Sequence, residues 1–98
     1  MTLQKDPERN EIKSLRKMAD LAGRRILEVG CGEGRLTWRY AAAARWTAAI
    51  DLDRDALRVA TIDRPSDLEG KTFFARASSI HLPFSTETFD LAILAWSL

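Results

Sequence analysis

The sequence predicts an α/β fold, a Rossmann-like open parallel sheet whose first four strands run in the order 3-2-1-4. Three observations carry this. Short apolar stretches alternate with segments of helical periodicity. The stretches are apolar on both faces instead of alternating, as strands covered on both sides are. A glycine turn, Gly30-Cys31-Gly32-Glu33-Gly34, stands between the first stretch and the next helix. Right-handed crossovers and a reversal after the third strand give the strand order and place a ligand crevice beside the first strand.

The elements follow from their residues. Asp6-Pro7 caps a helix, Ile12, Leu15, Met18, Ala19 and Ala22 recur at spacings of three and four, and Gly23 stops it. A helix over about 7–22 is therefore predicted, and residues 1–23 are assigned to this N-terminal helical segment. Arg25 to Val29 is the first strand and Leu36 to Ala44 an alanine-rich helix. Trp46 to Ile50 is the second strand, stopped by Asp51. Asp53 caps a helix running to about 63, which Pro65 prevents from continuing. Thr72 to Ala75 is the third strand, Ser85 to Thr88 a turn, and Phe89 to Trp96 the fourth strand. In the predicted order the fourth strand is an edge, and Leu91 to Trp96 is uncharged and free of proline. Self-association, or a partner, at that exposed edge is expected.

Composition limits the function. At 98 residues and 11.0 kDa the chain holds one domain, and its hydrophobic (46%) and charged (30%) fractions are those of a globular protein. The longest apolar run, Leu91 to Trp96, is far short of the ~20 residues that cross a bilayer, so no membrane association is expected. The polar N-terminus lacks the pattern of a signal peptide, and the single cysteine fits a reducing compartment. The expected location is the cytoplasm. Residues 1–45 carry ten Lys/Arg against six Asp/Glu, and residues 46–98 five against eight. These charges lie at helical spacing as a solvated face would, so nucleic acid is not the expected partner.

The chemistry lies in the glycine turn. Glycines at 30, 32 and 34 let backbone approach a ligand with no Cβ in the way, and the following helix presents unpaired amides. Asp51 ends the next strand twenty-one residues after Gly30, where a carboxylate can accept both hydroxyls of a ribose. A dinucleotide fingerprint would place its third glycine at 35, where Arg35 stands. Glu28, two residues before the first glycine, opposes a phosphate and suits a ligand bearing an ammonium and a sulfonium. A cationic nucleoside is the better fit.

Ile26-Leu27-Glu28-Val29-Gly30-Cys31-Gly32-Glu33-Gly34 resembles motif I of the class I S-adenosylmethionine-dependent methyltransferases, an acidic residue followed by G-x-G-x-G. Ala49-Ile50-Asp51-Leu52-Asp53 is similar to the acidic end of that family's second strand. Leu82-Pro83-Phe84 resembles its loop after the third strand, and Phe89-Asp90-Leu91 the start of its fourth. The Leu-Pro-Phe and Phe-Asp pair is typical of the subgroup that mostly methylates small molecules. The resemblance covers about residues 24–98. It implies that Gly30, Gly32 and Gly34 pass beneath the methionine and ribose of S-adenosylmethionine. It also implies that Glu28 orients the amino group, Asp51 holds the ribose hydroxyls, and Leu52 and Ile80 flank the adenine. At Ser78 the family usually has aspartate, bonding the adenine amino group. Here a neutral hydroxyl stands in its place, with backbone amides at Ser79 and Ile80 left to read the ring. The family fold has seven strands, so residues 24–98 correspond to its cofactor-binding half and stop past the fourth strand. The implied acceptor is a small molecule, and no catalytic residue or metal site is assigned.

Other readings stay open: a non-catalytic binding or assembly protein derived from that fold, or a fragment of a nicotinamide-dependent oxidoreductase. Cys31 is expected to be packed and not nucleophilic. His81 is expected at a loop surface, and Trp38, Trp46 and Trp96 in the core or an interface.

Overall fold

The computed structural model describes residues 2–5, 20–78 and 85–95. Its strands are β1 (Thr2–Lys5), β2 (Arg25–Val29), β3 (Trp46–Asp51), β4 (Thr72–Arg76) and β5 (Leu91–Leu94), and its helices α1 (Thr37–Tyr40) and α2 (Arg54–Asp63). Single 3-10 turns cover Ser66–Leu68 and Thr86–Thr88. The five strands form one sheet in the order β1-β5-β2-β3-β4, and every neighbouring pair is parallel. The predicted order 3-2-1-4 is thus present as β4-β3-β2-β5. None of the described helices is long and apolar enough to cross a membrane.

One strand was not anticipated. Residues 2–5 are not helical but pair with β5 in the register Thr2↔Leu91 through Lys5↔Leu94. β5 is therefore interior to the sheet, and the exposed edge expected there is covered. A four-residue polar strand gives no periodic signal of its own, because its pairing is decided by the apolar partner it lies against. Of the helix predicted over 7–22, Asp20, Leu21 and Ala22 fall among the described residues; Asp20 and Leu21 are helical, Ala22 begins a turn, and Leu21 is buried.

The sheet has apolar side chains on both faces because the strands alternate between two cores. Ile26, Leu91 and Ile93 pack with Leu21, Tyr40 and Ala44 on the face that carries the helices. Leu27, Val29, Ala48, Ile50, Phe89 and Ala92 pack together on the other. The helix predicted over 36–44 shortens to α1 because later bonds tighten to three-residue closures, such as Ala43 N–H to Tyr40 O. Ala41 and Ala44, at 0% and 1% exposure, let this segment lie close on the sheet. In α2, Asp53 accepts from the amides of Asp55 and Ala56 at 3.0 and 3.1 Å, an N-cap as expected, and Leu57 and Ala60 face inward. Arg64 is extended before Pro65, which ends the helix.

An ion pair joins the first residue of β2 to the residue before β5. Arg25 donates from Nε to Asp90 Oδ2 at 3.1 Å and from Nη2 to Oδ1 at 2.8 Å, and its backbone amide donates to Oδ2 at 2.8 Å. Asp90 N–H returns a bond to Arg25 O. These contacts fix the entry of β5 beside the entry of β2.

Candidate functional site

The crevice lies at the C-terminal ends of β2 and β3, where the chain turns to one side from β2 to β3 while β5 lies on the other. The glycine turn is pinned to β3 by the amides of Gly30 and Cys31, which both donate to Ile50 O at 2.8 and 3.1 Å. Gly30, Gly32 and Gly34 have φ of +81°, +56° and +91°, all in the left-handed region. A Cβ built on Gly32 meets nothing within 4 Å, so this glycine leaves open space for a ligand. A Cβ built on Gly34 would stand 2.6 Å from Trp38 Cζ2, so this glycine admits an indole instead.

Asp51 joins the two halves of the site. Its Oδ2 accepts from Gly32 N–H at 2.8 Å, and its Oδ1 accepts from Asp53 N–H at 2.8 Å. Each carboxylate oxygen has two lone pairs, so both can still accept a hydroxyl. Leu52 beside it is 62% exposed, an apolar surface at the crevice rim, and Arg76 Nε holds its carbonyl at 3.0 Å. Ala77 N–H bonds Asp51 O, so the half-buried Ser78 leaves β4 on the Asp51 side. Ser79 and Ile80 lie outside the described residues, as do His81, the Leu-Pro-Phe stretch and Trp96.

Glu28 lies beneath the turn, with no exposed surface. Its Oε1 accepts from Thr37 Oγ1 at 2.7 Å and Tyr40 OH at 2.6 Å, both from α1. Thr37 and Tyr40 were not singled out from the sequence. The signal for them was slight: two side chains with polar tips, three apart, on the inward face of a helix that follows a buried acid. Burial, then the charge of Glu28 and the hydrogen bond to it, hold the Tyr40 hydroxyl well above its usual pKa.

Cys31 is a buried, free cysteine. Burial, with the nearby charges of Glu28 and Asp51, pushes its thiol far above its ordinary value. Among the described residues no group of three His, Cys, Asp or Glu is placed to hold a metal ion. Trp38 packs edge-on to Phe74 with ring centroids 5.7 Å apart, and Trp46 likewise on Phe89 at 5.4 Å. Both indoles are packing residues, as expected from the sequence.

The arrangement offers an open glycine surface, an acceptor for two hydroxyls, an apolar rim and a buried negative charge. It suits a cationic nucleoside. Comparison with known proteins points the same way. A model of the methyltransferase domain matches residues 26–98. A ubiquinone biosynthesis O-methyltransferase of Ralstonia nicotianae is 46% identical over 48 residues, 49% of this chain and 20% of that protein. Methyltransferase GfsG of Streptomyces halstedii is 32% identical over 71 residues, 70% of this chain and 26% of that protein. The crystal structure of an S-adenosylmethionine-dependent methyltransferase from Mesorhizobium loti aligns at 30% identity with a TM-score of 0.66, over 84% of this chain and 37% of that one. The chain matches between 20% and 26% of the length of these two curated relatives.

Proposed function

The chain belongs to the methyltransferase domain family, whose cofactor is S-adenosylmethionine, and on that premise we propose that it is the cofactor-binding half of an enzyme methylating a small molecule. One observation carries the assignment of the site: Asp51 and Gly32 are bonded to each other at the crevice, so the ribose acceptor and the open glycine surface form one rigid wall. The names of the relatives, which include an O-methyltransferase of ubiquinone biosynthesis, support a small-molecule acceptor. The buried cysteine fits a cytoplasmic enzyme.

When bound, the cofactor supplies a methyl group on a positively charged sulfur. The residues of this chain bind and orient it. Asp51 takes the ribose hydroxyls on its remaining lone pairs. Gly32 lets the backbone lie against the ligand, and Leu52 covers one adenine face. Ser78, at the position where the family bonds the adenine amino group, would take that role, and the resemblance assigns reading of the ring to Ser79 and Ile80. Glu28 acts from beneath the turn through its charge, which a low-dielectric surrounding leaves poorly screened, and so favours an ammonium above it. Orientation is the main contribution an enzyme makes to an in-line displacement of this kind.

Titration calorimetry with S-adenosylhomocysteine and with NAD tests the reading. Binding of S-adenosylhomocysteine in preference to NAD is expected, without methyl transfer by residues 1–98 alone. A preference for NAD would replace the cofactor.

A further inference from the structure

We propose that the open edge of β4, together with the arginines of α2, is a docking groove for an acidic, extended segment of a partner protein. Arg54, Arg58 and Arg76 line one groove of about 530 Å³ beside Phe74 and Ile62, and no described carboxylate lines it. Neither Arg54 nor Arg58 has an ion-pair partner among the described residues. Their placement works against α2 itself. Arg54 sits in the first turn, where the helix dipole disfavours a cation, and Arg58 follows at i+4 as a like charge. Ile62 continues the same stripe at 77% exposure. Local choices that cost stability and leave an apolar side chain in water are those expected of a surface kept for a ligand.

The backbone supplies the other half of the argument. β4 ends the sheet. Lys71 O and Ala77 N–H bond to β3. By alternation Phe73 and Ala75 face β3 too, while Thr72, Phe74 and Arg76 present their backbone groups outward. Thr72 O is capped by Arg64 Nη1 at 2.8 Å, which leaves Phe74 and Arg76 on the open edge. A strand added there would alternate its side chains between two surroundings: the arginines on the helix face, and on the other face Phe73, which is 50% exposed. Acidic residues alternating with apolar ones fit both. Basic side chains along an edge repel basic strands and attract acidic ones, so the same residues guard the edge and select its partner.

The test uses residues 1–98 and three capped peptides: eight residues alternating glutamate and valine, the same with lysine for glutamate, and the glutamate peptide N-methylated at alternate positions. Amide chemical shifts are followed by NMR. The glutamate peptide is expected to perturb β4 and α2 in a salt-sensitive manner and the other two not to bind. In R54E/R58E, two exposed substitutions, affinity for the glutamate peptide should fall by roughly tenfold or more. The proposal is overturned if the glutamate peptide fails to bind the folded chain. Undiminished binding to R54E/R58E, or equal binding of the N-methylated peptide, also overturns it, the latter because a charge contact without strand addition would explain it.

Discussion

Gly32 N–H donates to Asp51 Oδ2 at 2.8 Å, so the carboxylate proposed to hold the ribose already fastens the glycine turn to the end of β3. The residue has two duties that substitution separates. Asp51→Ala removes an acceptor for the ligand and also frees the amides of Gly32 and Asp53. Affinity for S-adenosylhomocysteine should fall by about ten- to a hundredfold, the worth of about 1.5 to 3 kcal/mol of charged hydrogen bonding. Asp51→Asn keeps the shape and one carbonyl oxygen, and should lose less thermal stability than alanine while losing most of the affinity. Calorimetry and thermal denaturation of both variants check this. Unchanged affinity in Asp51→Ala would remove the ribose assignment.

Gly32 and Gly34 look equivalent in sequence and are not equivalent in space. Both carry positive φ, so alanine costs about 1 to 2 kcal/mol of backbone strain at either. At Gly34 the new methyl also meets the Trp38 indole at 2.6 Å, adding roughly 1 to 3 kcal/mol of overpacking. At Gly32 it meets nothing and projects into the crevice. Gly34→Ala should therefore be the more destabilising by Tm, and Gly32→Ala should lose more ligand affinity than its stability loss explains. The opposite ranking in calorimetry would show that the ligand passes over a different part of the turn.

The sheet order was legible because it rests on rules about connections, and the glycine turn and Asp51 were legible because each has a use the residue type announces. What escaped depended on tertiary partners. β1 is a strand only because β5 lies beside it. Thr37 and Tyr40 belong to the site only because α1 lies over the Glu28 carboxylate, nine and twelve residues back in the chain. Leu36 to Ala44 has helical composition throughout, yet the turn ahead of it and Arg45, whose amide bonds Arg24 O at the start of β3, confine the α-helix to Thr37–Tyr40.

The pair between Arg25 and Asp90 makes stability depend on acid. Hydrogen bonds from the Arg25 side chain, then from its backbone, hold the Asp90 carboxyl below its ordinary range, and Arg25 is correspondingly shifted up. A carboxyl with a lowered folded pKa stabilises fully above its unfolded value of about 3.9 and loses that contribution as pH falls further. Arg25 stays charged throughout. The Tm difference between the parent and Asp90→Asn should be constant from about pH 5 to 8 and shrink below about pH 4. A gap that persists at low pH would mean that the pair acts through shape and not through charge.

Tyr40 and Thr37 together satisfy one oxygen of a fully buried carboxylate. Tyr40→Phe keeps the ring in its core position and removes one charge-assisted bond, so a loss of about 1.5 to 3 kcal/mol is expected in urea denaturation. Thr37→Val should cost a similar amount. The double variant should depart from the sum of the two, because both hydroxyls serve the same oxygen. Strict additivity would show that Glu28 rearranges in the single variants and that α1 does not hold it in place.

β1 covers the side of β5 that would otherwise be an uncharged apolar edge over Leu91–Leu94. Such an edge pairs readily with another chain, because its backbone donors and acceptors are unsatisfied and no charge or proline obstructs approach. A chain beginning at residue 6 should therefore self-associate at concentrations where residues 1–98 stay monomeric. It should also lose roughly 1 to 3 kcal/mol of stability, the net worth of a few backbone hydrogen bonds. Light scattering with size-exclusion chromatography reads the first effect and urea denaturation the second. Equal mass and equal stability of the two chains would mean that pairing with β1 contributes nothing and that β5 is protected by other means.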